Sequence, residues 1–98
     1  MKHGGAVYIL TNKNYTTLYV GVTSHLQLRL EEHKSEKYSN SFTSRYDLDK
    51  LVYYELFHRI EEAILREKQI KGGSRQKKED MIRSMNPQWQ DLKGKLSE

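Results

Sequence analysis

The alternation of apolar and polar residues near the start of the chain predicts a β-hairpin. Residues 6–10 read AVYIL and residues 16–22 read TTLYVGV, so both segments are rich in β-forming side chains. The polar residues 11–15 between them include two asparagines, which predicts a turn that pairs the two strands in antiparallel. Gly21 lies inside the second strand, where glycine is unfavourable unless a backbone or a ligand approaches closely.

The next segment has the spacing of a helix followed by a loop and a strand. Ser24, with Gln27 three residues later, forms a capping-box pattern, which predicts a helix that runs to about residue 37. One stripe of this helix combines leucines with ionisable side chains: Leu26, Arg29, Leu30 and His33. Residues 38–49 are rich in Ser, Asn and Thr and predict a polar loop, and residues 50–57 (KLVYYELF) predict a third strand.

A second helix is predicted over residues 59–70. Its apolar face carries Ile60, Ala63, Ile64 and Ile70. Glu67 lies on the same stripe, seven residues after its first isoleucine. Gly72 and Gly73 follow, and they predict a helix end with glycine in the left-handed conformation.

The rest of the chain predicts a third helix and a short tail. Ser74 is a suitable cap for a helix over residues 75–85, and a proline follows that segment. The tail contains two apolar anchors, Trp89 and Leu92. The order strand, strand, helix, strand, helix, helix predicts an α+β domain over residues 1–92, in which about three helices flank a small three-stranded antiparallel sheet. We expect residues 93–98 to fray.

Length and composition narrow the class of protein. The chain has 98 residues, 17 Lys+Arg, 13 Asp+Glu and no cysteine, so one domain is expected and disulfide scaffolds, cysteine-based zinc sites and cysteine nucleophiles are excluded. No apolar run approaches the roughly 18 residues of a membrane span, and residues 1–5 lead directly into the first strand. We therefore expect a soluble, cytoplasmic protein with no membrane partner. The net charge of +4 is compatible with a nucleic-acid partner and equally with none.

Ionisable side chains on apolar helical stripes are the first candidates for chemistry. A buried carboxylate such as Glu67 needs a partner, a metal or the edge of a cleft. From spacing alone the structural interpretation is favoured: Glu67 binds Arg29 across a helix interface or points outward, and His33 is a partly exposed helical histidine. The functional alternative is that these three side chains converge on a cleft, where Tyr8 and Tyr19 present hydroxyl groups from the two hairpin strands.

Four blocks of sequence then occur in a characteristic order. They are AVY at 6–8, YVG at 19–21 with Arg29 downstream, EAILREKQIK at 62–71, and NPQWQDL at 86–92. Together these blocks resemble the GIY-YIG (URI-type) nuclease domain, in particular the small stand-alone bacterial proteins that consist of this domain alone. The resemblance covers residues 5–92, and Ala6 replaces the glycine of the first motif.

The resemblance implies a metal-dependent endonuclease that hydrolyses phosphodiester bonds in DNA, with structured or damaged DNA as candidate substrates. It implies that Glu67 holds one divalent cation, Mg²⁺ or Mn²⁺. Tyr19 would be the general base on the attacking water, with Tyr8 beside it, and Arg29 would brace the scissile phosphate. His33 would relay a proton or hold the phosphate. The pKa of tyrosine, near 10, is high for a base at neutral pH, so the metal and Arg29 would have to favour the phenolate.

Basic residues are concentrated between residues 66 and 78. The predicted nucleic-acid contacts are Arg66, Lys68, Lys71, Arg75, Lys77 and Lys78. The structural alternative is a solvated charged face. Nothing resembles a base-reading module, so a separate targeting protein could select the DNA; RNA remains an alternative partner, and the oligomeric state is undetermined.

Two further alternatives remain open at the level of sequence. The chain could be a non-catalytic or weakly catalytic nucleic-acid-binding module, or an adaptor that docks a protein partner through Trp89 and the basic helix. Larger relatives carry a functional asparagine near the end of the domain, and both Asn86 and Gln90 are candidates for that position.

Overall fold

The computed structural model describes residues 3–34 and 46–96. In chain order its elements are β1 (Gly5–Thr11), β2 (Leu18–Thr23), α1 (Leu26–Lys34), β3 (Lys50–Phe57), α2 (Ile60–Lys71), α3 (Arg75–Met85) and a 3₁₀ helix, η1 (Leu92–Lys95). This order confirms the predicted α+β class and the predicted sequence of strands and helices. The expected end of the first helix near residue 37, and the predicted loop as far as residue 45, lie outside the described residues.

The three strands form one antiparallel sheet in the order β2-β1-β3. Every residue of the central strand β1 is buried, and its side chains alternate between two cores. Ala6, Tyr8 and Leu10 face a core that includes leucines of α1 and η1, whereas Val7 and Ile9 face residues of α2 and α3. Tyr8 is therefore on the same face of the sheet as α1.

The start of α1 differs from the prediction that Ser24 caps it. The helix begins at Leu26, and its first N–H groups are satisfied by two imidazoles. Nδ1 of His25 accepts from the Leu28 N–H at 3.2 Å, and Nε2 of His3 accepts from the Leu26 N–H at 3.2 Å. Because a histidine occupies the cap position, the helix starts one residue later than a serine cap would allow.

The buried stripe of α2 also differs from the prediction in one position. Ala63 is fully buried and Ile70 is 4% exposed, but Ile64 is 38% exposed. Ala63 lies against β1, where a Cβ at Gly5 would be 2.9 Å from the Ala63 Cβ. Adjacent helical residues are about 100° apart, so Ile64 turns away from the sheet. Glu67, between the buried residues, is only 14% exposed in its side chain.

The turn between α2 and α3 is made without a left-handed glycine, so that part of the prediction is wrong. Gly72 has a right-handed φ of −74°, and its N–H donates to the Lys68 carbonyl at 3.0 Å. The helical turn thus continues through Gly72 and α3 starts soon afterwards. The Ser74 hydroxyl accepts from the Lys77 N–H at 3.2 Å, which confirms the predicted cap.

The C-terminal segment remains packed beyond the point where we expect fraying. Leu92 at 4% and Leu96 at 5% exposure belong to the core on the α1 face. None of the helices in residues 3–34 and 46–96 is long and apolar enough to cross a bilayer.

Candidate active site

Tyr8 and Gly21 form the first part of the site. They are direct partners in the pairing of β1 with β2, and Tyr8 is completely buried. A Cβ atom at Gly21 would lie 2.4 Å from Cζ of Tyr8 and 2.5 Å from its hydroxyl oxygen. The close approach that the glycine predicts is therefore made by the phenol of Tyr8, which occupies the space of a side chain at Gly21.

Tyr8 joins Tyr19 and Arg29 into one hydrogen-bonded cluster. The ring centroids of Tyr8 and Tyr19 are 6.2 Å apart, and the Tyr8 hydroxyl is hydrogen-bonded to both Tyr19 and Arg29. Burial raises the pKa of Tyr8 to about 12; the Arg29 guanidinium opposes this shift, and Tyr19 adds to it. Tyr8 is consequently protonated at neutral pH.

Arg29 approaches the tyrosines from α1. Its side chain is 33% exposed, and its Nη1 lies 3.8 Å from Oε1 of Glu32. Because Arg29 is in the first turns of α1, its position depends on the two imidazoles that cap this helix. His33 lies four residues further along α1, on the same stripe, but its side chain is outside those that the structure describes.

Glu67 comes from the opposite face of the sheet. The ion pair that the structure gives it is with Lys71 of the same helix, at 3.0 Å, so the predicted alternative of an ion pair with Arg29 is replaced by a local one. Lys71 also lines an open cleft of about 340 Å³, together with Lys78 and with Tyr19 and its strand neighbours. Because β2 is an edge strand, Tyr19 from one face and Lys71 from the other meet at the same border of the sheet.

Glu67 is compatible with a hard divalent cation that has few protein ligands. Among residues 3–34 and 46–96, no three His, Cys, Asp or Glu side chains are grouped closely enough to hold a metal ion. Mg²⁺ commonly takes one or two carboxylates and completes its shell with water and phosphate oxygens. A single, largely buried carboxylate beside an open cleft fits that mode of binding.

Two arginines of the predicted DNA-binding stretch are engaged inside the protein. Nε of Arg66 lies 2.9 Å from Oε2 of Glu55, so this pair links α2 to β3. Arg75 pairs with Glu79 at 2.9 Å and also donates to backbone carbonyls of the β1–β2 turn, at 2.7 and 2.9 Å. Both guanidinium groups therefore have structural partners.

The four lysines of the same stretch divide into two groups. Lys71 and Lys78 line the cleft, and the Lys78 ammonium donates to the Gly73 carbonyl at 2.6 Å. Lys68 and Lys77 are exposed. The lysines, more than the arginines, are thus available to an anionic partner.

Asn86 and Gln90 have different environments. Asn86 is 5% exposed; its Nδ2 donates to the carbonyls of Val52 and Gln90 at 3.2 and 2.7 Å, and its Oδ1 accepts from the Gln90 N–H at 3.0 Å. Gln90 is exposed, and its side chain contacts Gln88. The Asn86 amide therefore fastens the C-terminal turn to β3.

Known proteins match both the sequence and the fold of this chain. A sequence model described as the GIY-YIG catalytic domain matches residues 4–80. The chain belongs to the GIY-YIG family. This match confirms the resemblance that the four sequence blocks indicate, and the GIY-YIG family is a nuclease family.

Relatives of similar length share the same organisation. A UPF0213 protein of Syntrophus aciditrophicus is 39% identical over 82 residues, which cover 84% of this chain and 92% of that protein. A UPF0213 protein of Staphylococcus haemolyticus is 38% identical over 76 residues, covering 78% and 90%. The solution NMR structure of a UPF0213 protein from Bacillus halodurans superposes with a TM-score of 0.57 at 30% identity, covering 90% of this chain and 92% of that one. The Bacillus halodurans relative therefore has the same fold as this chain.

Two residues have roles at the site that the sequence interpretation does not assign to them. Lys71 is the partner of Glu67, and the spacing of four residues between a glutamate and a lysine on one helix is a signal that could identify the pair. His3 caps α1 from a distance of 23 positions along the chain, and no local pattern reveals such a contact.

Proposed function

We propose that this GIY-YIG protein is a metal-dependent endonuclease that hydrolyses phosphodiester bonds in DNA, with structured or damaged DNA as its substrates. The observation that carries the proposal is the hydrogen-bonded cluster of Tyr8, Tyr19 and Arg29 beside a lysine-lined cleft. Membership of the nuclease family supplies the reaction class.

The cluster supports a division of labour between the two tyrosines. Tyr8 remains protonated and, through its contact with Tyr19, holds the Tyr19 ring in place at the edge of the cleft. Tyr19, which lines the cleft, takes a proton from the water whose oxygen attacks phosphorus. As the new P–O bond forms and the bond to the leaving oxygen breaks, the Arg29 guanidinium donates to the phosphate oxygens, where negative charge increases. His33 is proposed to relay a proton to the leaving oxygen.

Glu67 is the proposed ligand of the cation. Mg²⁺ or Mn²⁺ held there would supply electrostatic stabilisation of the negative charge that develops on the phosphate. The low exposure of the carboxylate, 14%, favours a bound cation because a desolvated negative charge requires a positive partner.

The lysines are the proposed phosphate contacts of the bound strand. Lys71 and Lys78 line the cleft, and Lys68 and Lys77 extend the positive charge outward from it. Arg66 and Arg75 are proposed to contribute less, because their guanidinium groups have partners within the protein. A targeting protein would supply sequence selectivity, and RNA is the alternative polymer for the same contacts.

A cleavage assay tests the proposal. Purified protein is incubated with supercoiled, nicked and branched DNA in the presence of Mg²⁺ or Mn²⁺, and with chelator. Tyr19→Phe and Glu67→Gln are each expected to reduce the cleavage rate by about 10²–10⁴-fold. Glu61→Gln is the matched control, since Glu61 is an exposed glutamate of the same helix. Absence of cleavage on every substrate, or a Glu67→Gln variant as active as the control, would contradict the proposal.

A second candidate is a nucleic-acid-binding module without catalysis. The lysines that line the cleft favour it, because their contacts to phosphate require no metal. It predicts salt-dependent binding that survives both Glu67→Gln and chelation. Loss of binding with chelator would contradict it. An adaptor role for Trp89 has less support, because its ring packs against Tyr15 at a centroid distance of 5.3 Å and against the core.

A further inference from the structure

Lys71 occupies the position beside Glu67 where a metal ion would bind. Its ammonium lies 3.0 Å from Oε2 of Glu67, which is the same carboxylate that the proposed function assigns to the cation. The two side chains differ in freedom: that of Lys71 is 54% exposed, whereas that of Glu67 is 14% exposed. Lys71 can therefore leave the pair by rotating its four-carbon stem, and Glu67 is the fixed member.

A divalent cation and the Lys71 ammonium compete for this carboxylate. Mg²⁺ or Mn²⁺ binds carboxylate oxygens at about 2.0–2.2 Å, so the two positive groups would be close neighbours in a partly desolvated environment. Like charges at such distances repel strongly when water is partly excluded. Binding of the cation therefore favours displacement of the ammonium.

The cleft provides the displaced ammonium with a second partner. Lys71 lines the cleft together with Tyr19 and Lys78, where the proposed function places the DNA phosphates. Lys78 is already held by the Gly73 carbonyl at 2.6 Å, so of these two lysines Lys71 is the one whose partner changes.

We propose that Lys71 is a positioning residue that links metal binding to DNA binding. In the metal-free protein it neutralises Glu67, and in the metal-bound protein it contacts a DNA phosphate. This inference rests on the proposed function, because it requires Glu67 to be the metal ligand. By thermodynamic reciprocity, the metal then raises the affinity for DNA by the same factor by which DNA raises the affinity for the metal.

Binding measurements on Lys71→Met test the link without relying on cleavage. Mn²⁺ affinity is measured by electron paramagnetic resonance on DNA-free protein. DNA affinity is measured by fluorescence anisotropy with a short labelled duplex, in a Tyr19→Phe background that prevents cleavage. Lys13→Met is the matched control, since Lys13 is an exposed lysine of the turn between β1 and β2 that the proposed function does not use.

The expected pattern is opposite for the two ligands. Lys71→Met binds Mn²⁺ more tightly than the control by about fivefold or more, since the competing ammonium is gone. Mn²⁺ tightens duplex binding by about fivefold or more in the parent and in Lys13→Met. In Lys71→Met that enhancement is smaller, because only the direct interaction of the cation with the phosphate remains.

Failure of the inference can be distinguished from failure of the proposed function. If Lys71→Met and Lys13→Met bind Mn²⁺ equally, or if the metal-dependent enhancement of DNA binding is the same in both, the role of Lys71 is refuted. The proposed function still stands in that case if Glu67→Gln loses both Mn²⁺ binding and cleavage. If Glu67→Gln retains both, the proposed function and the inference are refuted together.

Discussion

Replacement of Gly21 by alanine is expected to disturb both the stability and the active site through a single contact. The new Cβ would lie 2.4 Å from Cζ of Tyr8 and 2.5 Å from its hydroxyl oxygen, so one of the two groups must move. Tyr8 is completely buried, and a ring without free space cannot move without disturbing its neighbours. The shift also loosens its hydrogen bond with Arg29.

The size of the effect follows from these contacts. Overpacking in a core typically costs about 1–3 kcal/mol, and loss of a hydrogen bond to a charged group costs about 1.5–3 kcal/mol. Alanine recovers about 0.5–1 kcal/mol because glycine is the more flexible residue in the unfolded chain. We expect a net loss of about 3.5 kcal/mol and a fall in Tm of roughly 14–28 °C.

Thermal and denaturant unfolding of Gly21→Ala measure this loss, with Gly94→Ala as the matched control. Within residues 3–34 and 46–96, and apart from Gly94 and its two chain neighbours, no heavy atom lies within 4 Å of the position of a Cβ at Gly94, so the control should change stability by less than about 0.5 kcal/mol. A double-mutant cycle with Tyr8→Leu identifies the cause, because the two changes should be non-additive if the clash is with the phenol. Equal stability of the two alanine variants, or simple additivity in the cycle, would refute the reasoning.

Three further predictions concern other residues. Asn86→Ala should lower the free energy of unfolding by about 2–3 kcal/mol, because the three hydrogen bonds of its side chain are lost. Gln90→Ala should change the free energy of unfolding by less than about 0.5 kcal/mol, and urea titration of both variants checks this. Burial and the charge of His25 lower the pKa of His3 below its usual 6.5, so near that pH the unfolded chain binds more protons than the folded protein, and stability should fall as the pH drops below about 6.5. Urea unfolding at several pH values should show a smaller fall in His3→Gln than in the parent protein. Lys68→Met should reduce the slope of log DNA affinity against log salt concentration by about 1, as measured by anisotropy titrations at several salt concentrations. Arg66→Met should change that slope less and should instead lower the free energy of unfolding, because Arg66 pairs with Glu55 within the protein.

The elements of the fold are predictable from the sequence because they depend on local spacing. Alternating β-formers around a polar turn define the hairpin, and Ser74 caps α3 as expected from its position. The errors arise where a contact is non-local or where neighbouring residues compete for one face. His3, which precedes β1, caps α1 in place of Ser24. Ala63 faces the sheet instead of Ile64, because the helix approaches Gly5 closely there and only a small side chain fits.

The candidate site is predictable in its residues but not in its partners. Tyr8, Tyr19 and Arg29 are brought together because the two tyrosine side chains and helix α1 lie on the same face of the sheet. The partners of Glu67 and of the basic residues depend on distances that spacing leaves open. Arg66 and Arg75 look like surface charges in the sequence. In the structure, the ion pair of Arg66 links α2 to β3, and Arg75, besides its ion pair within α3, donates hydrogen bonds that fix the β1–β2 turn.

The strand order β2-β1-β3 has a consequence for the solubility of the protein. An edge strand presents unpaired backbone groups that can recruit a strand from another molecule, and β2 is such a strand. Lys71 and Lys78 line the cleft that borders its residues Leu18 and Val20, and positive charges at a sheet edge discourage association between copies. Lys71 and Lys78, which we assign to DNA binding, therefore also protect the open edge of the sheet. Variants that neutralise Lys71 and Lys78 together should aggregate more readily than variants that neutralise Lys68 and Lys77.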